Sequence, residues 1–199
     1  MCWQNRNDVD MYETDFLGPH YAKLAAFMPG KTARTVFGPY RSYFSSSDAG
    51  FSWQNLPPTL ETNIVNRLKL GRPETVALGV GGSWVVLYDD GKLAHNLQGL
   101  YPGLQPLLDN PEERNKRNSI TYVALSPYVA GHYFAAFGNG TAIWNLPSVM
   151  HTDVESVAKT LRPLPTRPAQ PTSILEASLN FQVQNQANIA MNNLLFNRW

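Results

Sequence analysis

Ser83-Trp84-Val85-Val86-Leu87-Tyr88-Asp89-Asp90-Gly91-Lys92-Leu93-Ala94-His95-Asn96-Leu97 is the stretch around which this chain is organised. An apolar strand breaks at Asp89-Asp90-Gly91 and resumes as a second strand. Asp and Gly tolerate the positive φ of a tight turn, so the stretch predicts a β-hairpin. The pattern occurs three times. Ser42-Tyr43 leads to Gly50 and Asn55-Leu56, and His132-Tyr133 leads to Gly140 and Asn145-Leu146. In each copy an aromatic residue (Tyr43, Trp84, Tyr133) stands seven residues before a glycine, and Asn-Leu begins five residues after it.

The same parts surround each hairpin. Thr35-Val36-Phe37, residues 75–78 and residues 122–125 predict first strands, and residues 84–88 and 133–137 second strands. Trp84, Val86 and Tyr88 lie on one face of the second strand and Val85 and Leu87 on the other, which predicts an inner strand covered on both sides. In the first copy Ser45-Ser46-Ser47 replaces the apolar residues, which predicts a more exposed sheet. A helix follows each meander. The first carries Leu60, Ile64, Val65 and Leu68 after Pro57-Pro58, with Asn55 as its cap. The second covers about residues 101–108 and ends at Pro111, and the third carries Met150, Val154, Val157 and Leu161 on one face. The copies span about 32–70, 73–117 and 118–161, a period typical of arrays whose members share a core. The expected fold is α+β and β-rich: three tandem units of antiparallel three-stranded meander plus helix, in an open, propeller-like or barrel-like arrangement, with a C-terminal helix.

The flanks differ. Met1-Cys2-Trp3-Gln4-Asn5 resembles Phe51-Ser52-Trp53-Gln54-Asn55, so residues 1–31 predict a partial repeat strand, an acidic loop and a short helix at about 19–28 with Leu24 and Phe27 inward. Residues 162–172 hold four prolines and predict a semi-rigid linker. In the helix predicted over 173–199, Leu175, Leu179, Val183, Met191 and Leu195 fall on one stripe, and no charge occurs between Glu176 and Arg198. An apolar stripe backed by uncharged Asn and Gln predicts docking on the repeats or on a second copy, hence a homo-oligomer.

Val76-Ala77-Leu78-Gly79, Gly82-Ser83-Trp84-Val85-Val86-Leu87-Tyr88-Asp89-Asp90-Gly91, and the run from Tyr122 through Ser126-Pro127-Tyr128 to Tyr133-Phe134 resemble segments of β-rich repeat proteins of filamentous fungi. The resemblance covers about residues 32–165. It implies an intracellular repeat module of fungal type and brings no catalytic motif.

Composition narrows the classes of partner. With 43% hydrophobic and 12% aromatic residues the chain can bury a substantial core. Its 16 basic and 15 acidic residues leave a formal charge of +1, and the most basic run, Arg114-Asn115-Lys116-Arg117, follows Glu112-Glu113; nucleic acid is not an expected partner. Cys2 is the single cysteine, so no intrachain disulfide can form, which fits a reducing compartment. Residues 1–10 lack the basic-then-apolar pattern of a secretory leader, and no apolar run approaches the ~20 residues of a membrane span. A cytoplasmic location is the expectation. Asn139-Gly140-Thr141 matches a glycosylation acceptor but sits at a hairpin turn.

Few residues suggest chemistry. His20, His95, His132 and His151 show no metal-ligand spacing, and neither metal nor cofactor is expected. His95 with Asp89 or Asp90 is the candidate proton-transfer pair, against the simpler alternative of a partly buried ring bonded to backbone. His132 aligns with Ser42 and Ser83 at a strand start. Gly79-Val80-Gly81-Gly82-Ser83 precedes a strand rather than a helix, so it predicts a turn and not a phosphate cradle. Tyr40, Trp84, Tyr101, Tyr128, His132 and Trp144 are the candidate ligand-binding residues. The expected function is a non-catalytic repeat module for protein or ligand binding. The alternatives are an enzyme or small-molecule binder with a pocket between repeats, and a lectin-like protein binding glycans through repeated aromatics.

Overall fold

The computed structural model describes residues 2–4, 10–12, 17–30, 33–109 and 120–163, the first two segments by backbone alone. Residues 1–163 form one compact unit. Residues 164–199 lie outside the described residues, and with them the predicted helix bearing Leu175, Leu179, Val183, Met191 and Leu195 and most of the 162–172 linker. Pro111 falls outside them as well.

The period-two alternation of each copy folds as an antiparallel meander. Strands β1 (Cys2–Gln4) and β2 (Asp10–Tyr12) pair as a hairpin, where a loop was expected around residue 10. Helix α1 (Ala22–Phe27) follows. The first meander is β3 (Ala33–Phe37), β4 (Tyr43–Ser47) and β5 (Gly50–Gln54), followed by α2 (Pro58–Arg67). The second is β6 (Pro73–Leu78), β7 (Trp84–Tyr88) and β8 (Leu93–Asn96), followed by α3 (Gln105–Asp109). The third is β9 (Ile120–Leu125), β10 (Tyr133–Phe137) and β11 (Ala142–Asn145), followed by α4 (His151–Thr160). The three three-stranded sheets stay separate, each with its second strand in the middle. The β-rich α+β fold of three meander-plus-helix units is therefore observed, and its sheets do not close into one barrel.

The three glycines of the repeat all sit at the turn between second and third strands, in two forms. Gly91 and Gly140 donate their N–H to the carbonyls of Tyr88 and Phe137, with φ of 78° and 83°. Gly50 instead opens β5 opposite Ser47, which makes its hairpin one residue tighter: Tyr43 pairs with Gln54, whereas Trp84 pairs with Asn96 and Tyr133 with Asn145. The residue saved at the turn reappears at Asn55. It lies beyond the strand in left-handed backbone (φ 49°) and donates its side-chain N–H to the Tyr40 carbonyl. Asn55 is therefore not the helix cap; Pro57 occupies that position, and no side chain caps the helix.

Packing repeats along the chain. Phe44 on the first sheet, Leu56, Leu60 and Ile64 around α2, and Val76, Trp84, Val86 and Tyr88 on the second sheet form one buried cluster. Val85 and Leu87, on the opposite face of β7, join Tyr101, Leu104 and Leu108 and the facing side of the third sheet. Each interface thus consists of a sheet face, the helix that follows it and the next sheet. All five residues of β7 are buried, as its two apolar faces require. At ~1.5–3 kcal/mol per fully buried large side chain, these two interfaces hold the fold together.

Several apolar positions depart from expectation. Ser45 and Ser47 are buried, because their small hydroxyl-bearing side chains fit a covered face when bonded: Thr35 and Ser45 share a hydrogen bond of 2.9 Å and Ser47 Oγ accepts the Ala49 N–H. Val65 and Leu68 are exposed, since α2 rests on a narrow line through Leu60 and Ile64. At α1, Leu24 and Met28 are buried against Tyr43, and Phe27 only half so. On the third helical segment Met150 and Val157 face solvent, while Val154 and Leu161 are half-covered.

Candidate binding surfaces

His95 pairs across the sheet with Val85 on β7, which places it beside the second interface. Its Nε2 lies 3.2 Å from Oδ1 of Asp109 at the end of α3, and Gln105 Nε2 donates to the other oxygen of that carboxylate. The two acids expected as its partner are engaged at the hairpin tip. Asp89 accepts the Arg72 N–H at 2.8 Å, and Asp90 holds Arg67 at 2.7 Å and accepts the Lys92 N–H at 2.9 Å. At ~3.3 Å per extended residue the tip lies on the order of 10–15 Å from His95. The structure therefore brings His95 to Asp109 and not to Asp89 or Asp90. His95 lines none of the cavities of about 600, 420 and 340 Å³.

The candidate aromatics separate by environment. Trp84 is buried, with Nε1 donating to Thr59 Oγ1 at 2.9 Å. Tyr101 is fully buried between two turns; its hydroxyl donates to the Ser126 carbonyl and accepts the Val80 N–H. Both are core residues. Burial pushes the hydroxyl pKa of Tyr43, Tyr88, Tyr101 and Tyr133 above its usual value. His132 is half-buried at the strand start where Ser42 and Ser83 are buried, Ser83 Oγ donating to the Leu97 carbonyl. Tyr40 and Tyr128 stand out, 85% and 87% exposed. Tyr40 lines the 420 Å³ cavity between the turns of the first two copies.

Trp144 belongs to an aromatic ladder on one face of the third sheet. Cross-strand pairing puts Phe134, Ala124 and Trp144 on one face of the third sheet, together with Ala136, Tyr122 and Ala142. Phe134 stacks on Trp144 with centroids 6.3 Å apart and planes at 17°, and Tyr122 meets Phe134 at 6.4 Å. The first sheet carries the same device: Phe44 and Trp53 pair across β4 and β5 and stack at 6.3 Å and 15°. Phe44 is buried because the second sheet and α2 cover it. Phe134, Trp144 and Tyr122 belong to none of the three buried clusters, and Tyr122 is 49% exposed. Val149, Met150 and Val157 are exposed on the last helical segment. Sequence reasoning found Trp144 but missed Phe134 and Tyr122. The signal was present, because Phe134 follows Tyr133 just as Phe44 follows Tyr43.

The first strands approach one another, β6 lying beside both β3 and β9. Between them runs the 600 Å³ groove, with Val36, Val76 and Leu125 among its walls and Arg34, Glu74 and Tyr122 exposed in it. No described helix is long and apolar enough to cross a membrane. No protein-family model matches the chain, and no curated protein and no solved structure is detectably similar to it.

Proposed function

We propose that this chain is a non-catalytic repeat module that binds protein through the open end of its row of sheets, and that the partner is a second copy of itself. The observation that carries this reading is the aromatic ladder Tyr122–Phe134–Trp144, the counterpart of a stacked pair that the chain's own next sheet covers. A surface built for a sheet face is satisfied by another sheet face. In a twofold pair the same patch meets itself, so like charges would repel. Tyr122, Ala124, Phe134, Ala136, Ala142 and Trp144 carry none. The reading is non-catalytic because His95 and Asp109 are joined to each other away from the cavities.

The test is the mass in solution of the full chain, of Trp144→Ser, and of a chain ending at residue 163. A dimer that becomes a monomer in Trp144→Ser, with an unchanged far-UV spectrum, supports the proposal. A dimer only after removal of residues 164–199 assigns the same face to the chain's own C-terminal segment instead. A monomer in every form overturns self-association.

A further inference from the structure

Four residues other than glycine adopt left-handed backbone among the described residues: Tyr40, Arg41, Asn55 and Gln98, with φ from 49° to 59°. Such a conformation is unfavourable for Tyr, Arg and Gln and cheaper for Asn, and residues held in it cluster where a structure holds a ligand. Three of the four, Tyr40, Asn55 and Gln98, line one cavity of about 420 Å³ between the turns of the first and second copies. At the positions of Tyr40 and Arg41 the second copy uses Gly81 and Gly82, which take the same hand of backbone without that cost.

The second interface shows how this space is closed when it is not wanted. Tyr101 opens the helical turn that leads into α3, its carbonyl accepting the N–H of Leu104 and Gln105. Its ring fills the gap between turns so closely that a Cβ on Gly79 would lie 2.3 Å from the hydroxyl. Pro57 holds the equivalent place before α2, its carbonyl accepting the N–H of Leu60 and Glu61. Proline cannot reach across, and the gap between the first two turns stays open with Pro57 as a wall. The second copy also has three more residues between its Asn-Leu and this turn (Gln98, Gly99 and Leu100), and they bring the Gln98 side chain to the cavity beside Gly81 and Gly82.

The lining is uncharged and mixes polar side chains with an apolar wall of Leu78 and three prolines. Asn55, Asn96 and Gln98 offer carboxamides, Ser42, Thr59 and Tyr40 offer hydroxyls, and no residue lining the cavity is charged. The side chains of Asn96 and Gln98 make no hydrogen bond to a described residue, and Asn55 uses only its N–H. Carboxamides both donate and accept, as neighbouring sugar hydroxyls do. The exposed Tyr40 ring offers a face for the C–H side of a pyranose, and the volume falls within the ~300–1,000 Å³ range of small-molecule sites. We infer that this cavity is a binding site for a neutral saccharide of one or two rings, gripped by Asn55, Asn96 and Gln98 and covered by Tyr40. This site is separate from the aromatic ladder and does not depend on self-association.

The experiment is a titration of the ¹⁵N-labelled full chain with glucose, galactose, mannose, N-acetylglucosamine and their β1,4-linked disaccharides. It follows the backbone amides of Gly79, Gly81 and Gly82 and the side-chain amides of Asn96 and Gln98. Saturable shifts with at least one sugar, unchanged between low and high salt, are expected from an uncharged site. Gln98→Ala and the plug Pro57→Tyr should each weaken that binding about tenfold or more while the remaining amide spectrum is retained. The inference is overturned if no sugar moves these amides at tens of millimolar. It is overturned equally if binding persists at full strength in both variants, or if glucuronate or glucose 6-phosphate binds more tightly than glucose.

Discussion

Phe44–Trp53 and Phe134–Trp144 are the same cross-strand pair, stacked with nearly the same spacing and tilt, at the two ends of a row of three sheets. Phe44 is buried because a second sheet lies on it, with Trp53 half-buried beside it; Phe134 and Trp144 are both half-buried and join none of the buried clusters. The difference teaches that exposure of an aromatic here depends on position in the row and not on its own strand. The N-terminal end is finished differently, with Tyr43 packed against Leu24 and Met28 of α1 and its hydroxyl hydrogen-bonded with Ser52 Oγ.

The sharpest way to test that comparison is truncation at both positions. Phe44→Ala should cost about 3–5 kcal/mol of unfolding free energy, as for a large ring removed from a packed core. Phe134→Ala should cost roughly 1 kcal/mol when measured on the monomer at low protein concentration. Equal losses would break the equivalence of the two faces. Tyr101→Phe comes next. It strips the Val80 N–H and the Ser126 carbonyl of their partner, and about 1–3 kcal/mol should be lost in denaturant unfolding.

Alkaline pH acts on all three buried clusters at once. The folded-state pKa values of Tyr43, Tyr88, Tyr101 and Tyr133 are raised above the unfolded value near 10 by burial. The unfolded chain therefore releases protons first, so this stability is intact below pH ~10 and declines as pH rises toward the folded values. Melting temperature against pH should fall in that window, and less steeply in Tyr133→Phe. The smallest effect is expected at Arg41→Gly. Relief of left-handed strain, offset by the added freedom of glycine in the unfolded chain, should raise stability by about 0.5–1 kcal/mol. A loss of that size would instead show that the Arg41 side chain holds the turn.

Much of this architecture was legible in the residues because its signals are local. The alternation in 84–88 and 133–137 gave strands with the bounds observed, and Asp89-Asp90-Gly91 and Asn139-Gly140 marked hairpins, since turn chemistry acts over a few bonds. Leu60 and Ile64 were recognised as a buried helix line. The serines of β4 were misjudged because burial of a hydroxyl depends on a bond to another strand, and Thr35 lies ten residues away. The His95 partner was missed for the same reason. Asp109 lies on the following helix, and only the docking of that helix beside β8 brings it within reach.

The sequence by itself determined that one meander-and-helix unit is repeated three times, because alternation, turn residues and helix breakers each act within a few residues of where they stand. The tertiary structure alone decided which aromatic pair is covered, which carboxylate meets His95, and that a gap filled by Tyr101 in one interface stays open beside Pro57 in the other. Those outcomes depend on contacts between separate elements, such as the hydrogen bond from Tyr101 to the Ser126 carbonyl some 25 residues away, which no local pattern encodes.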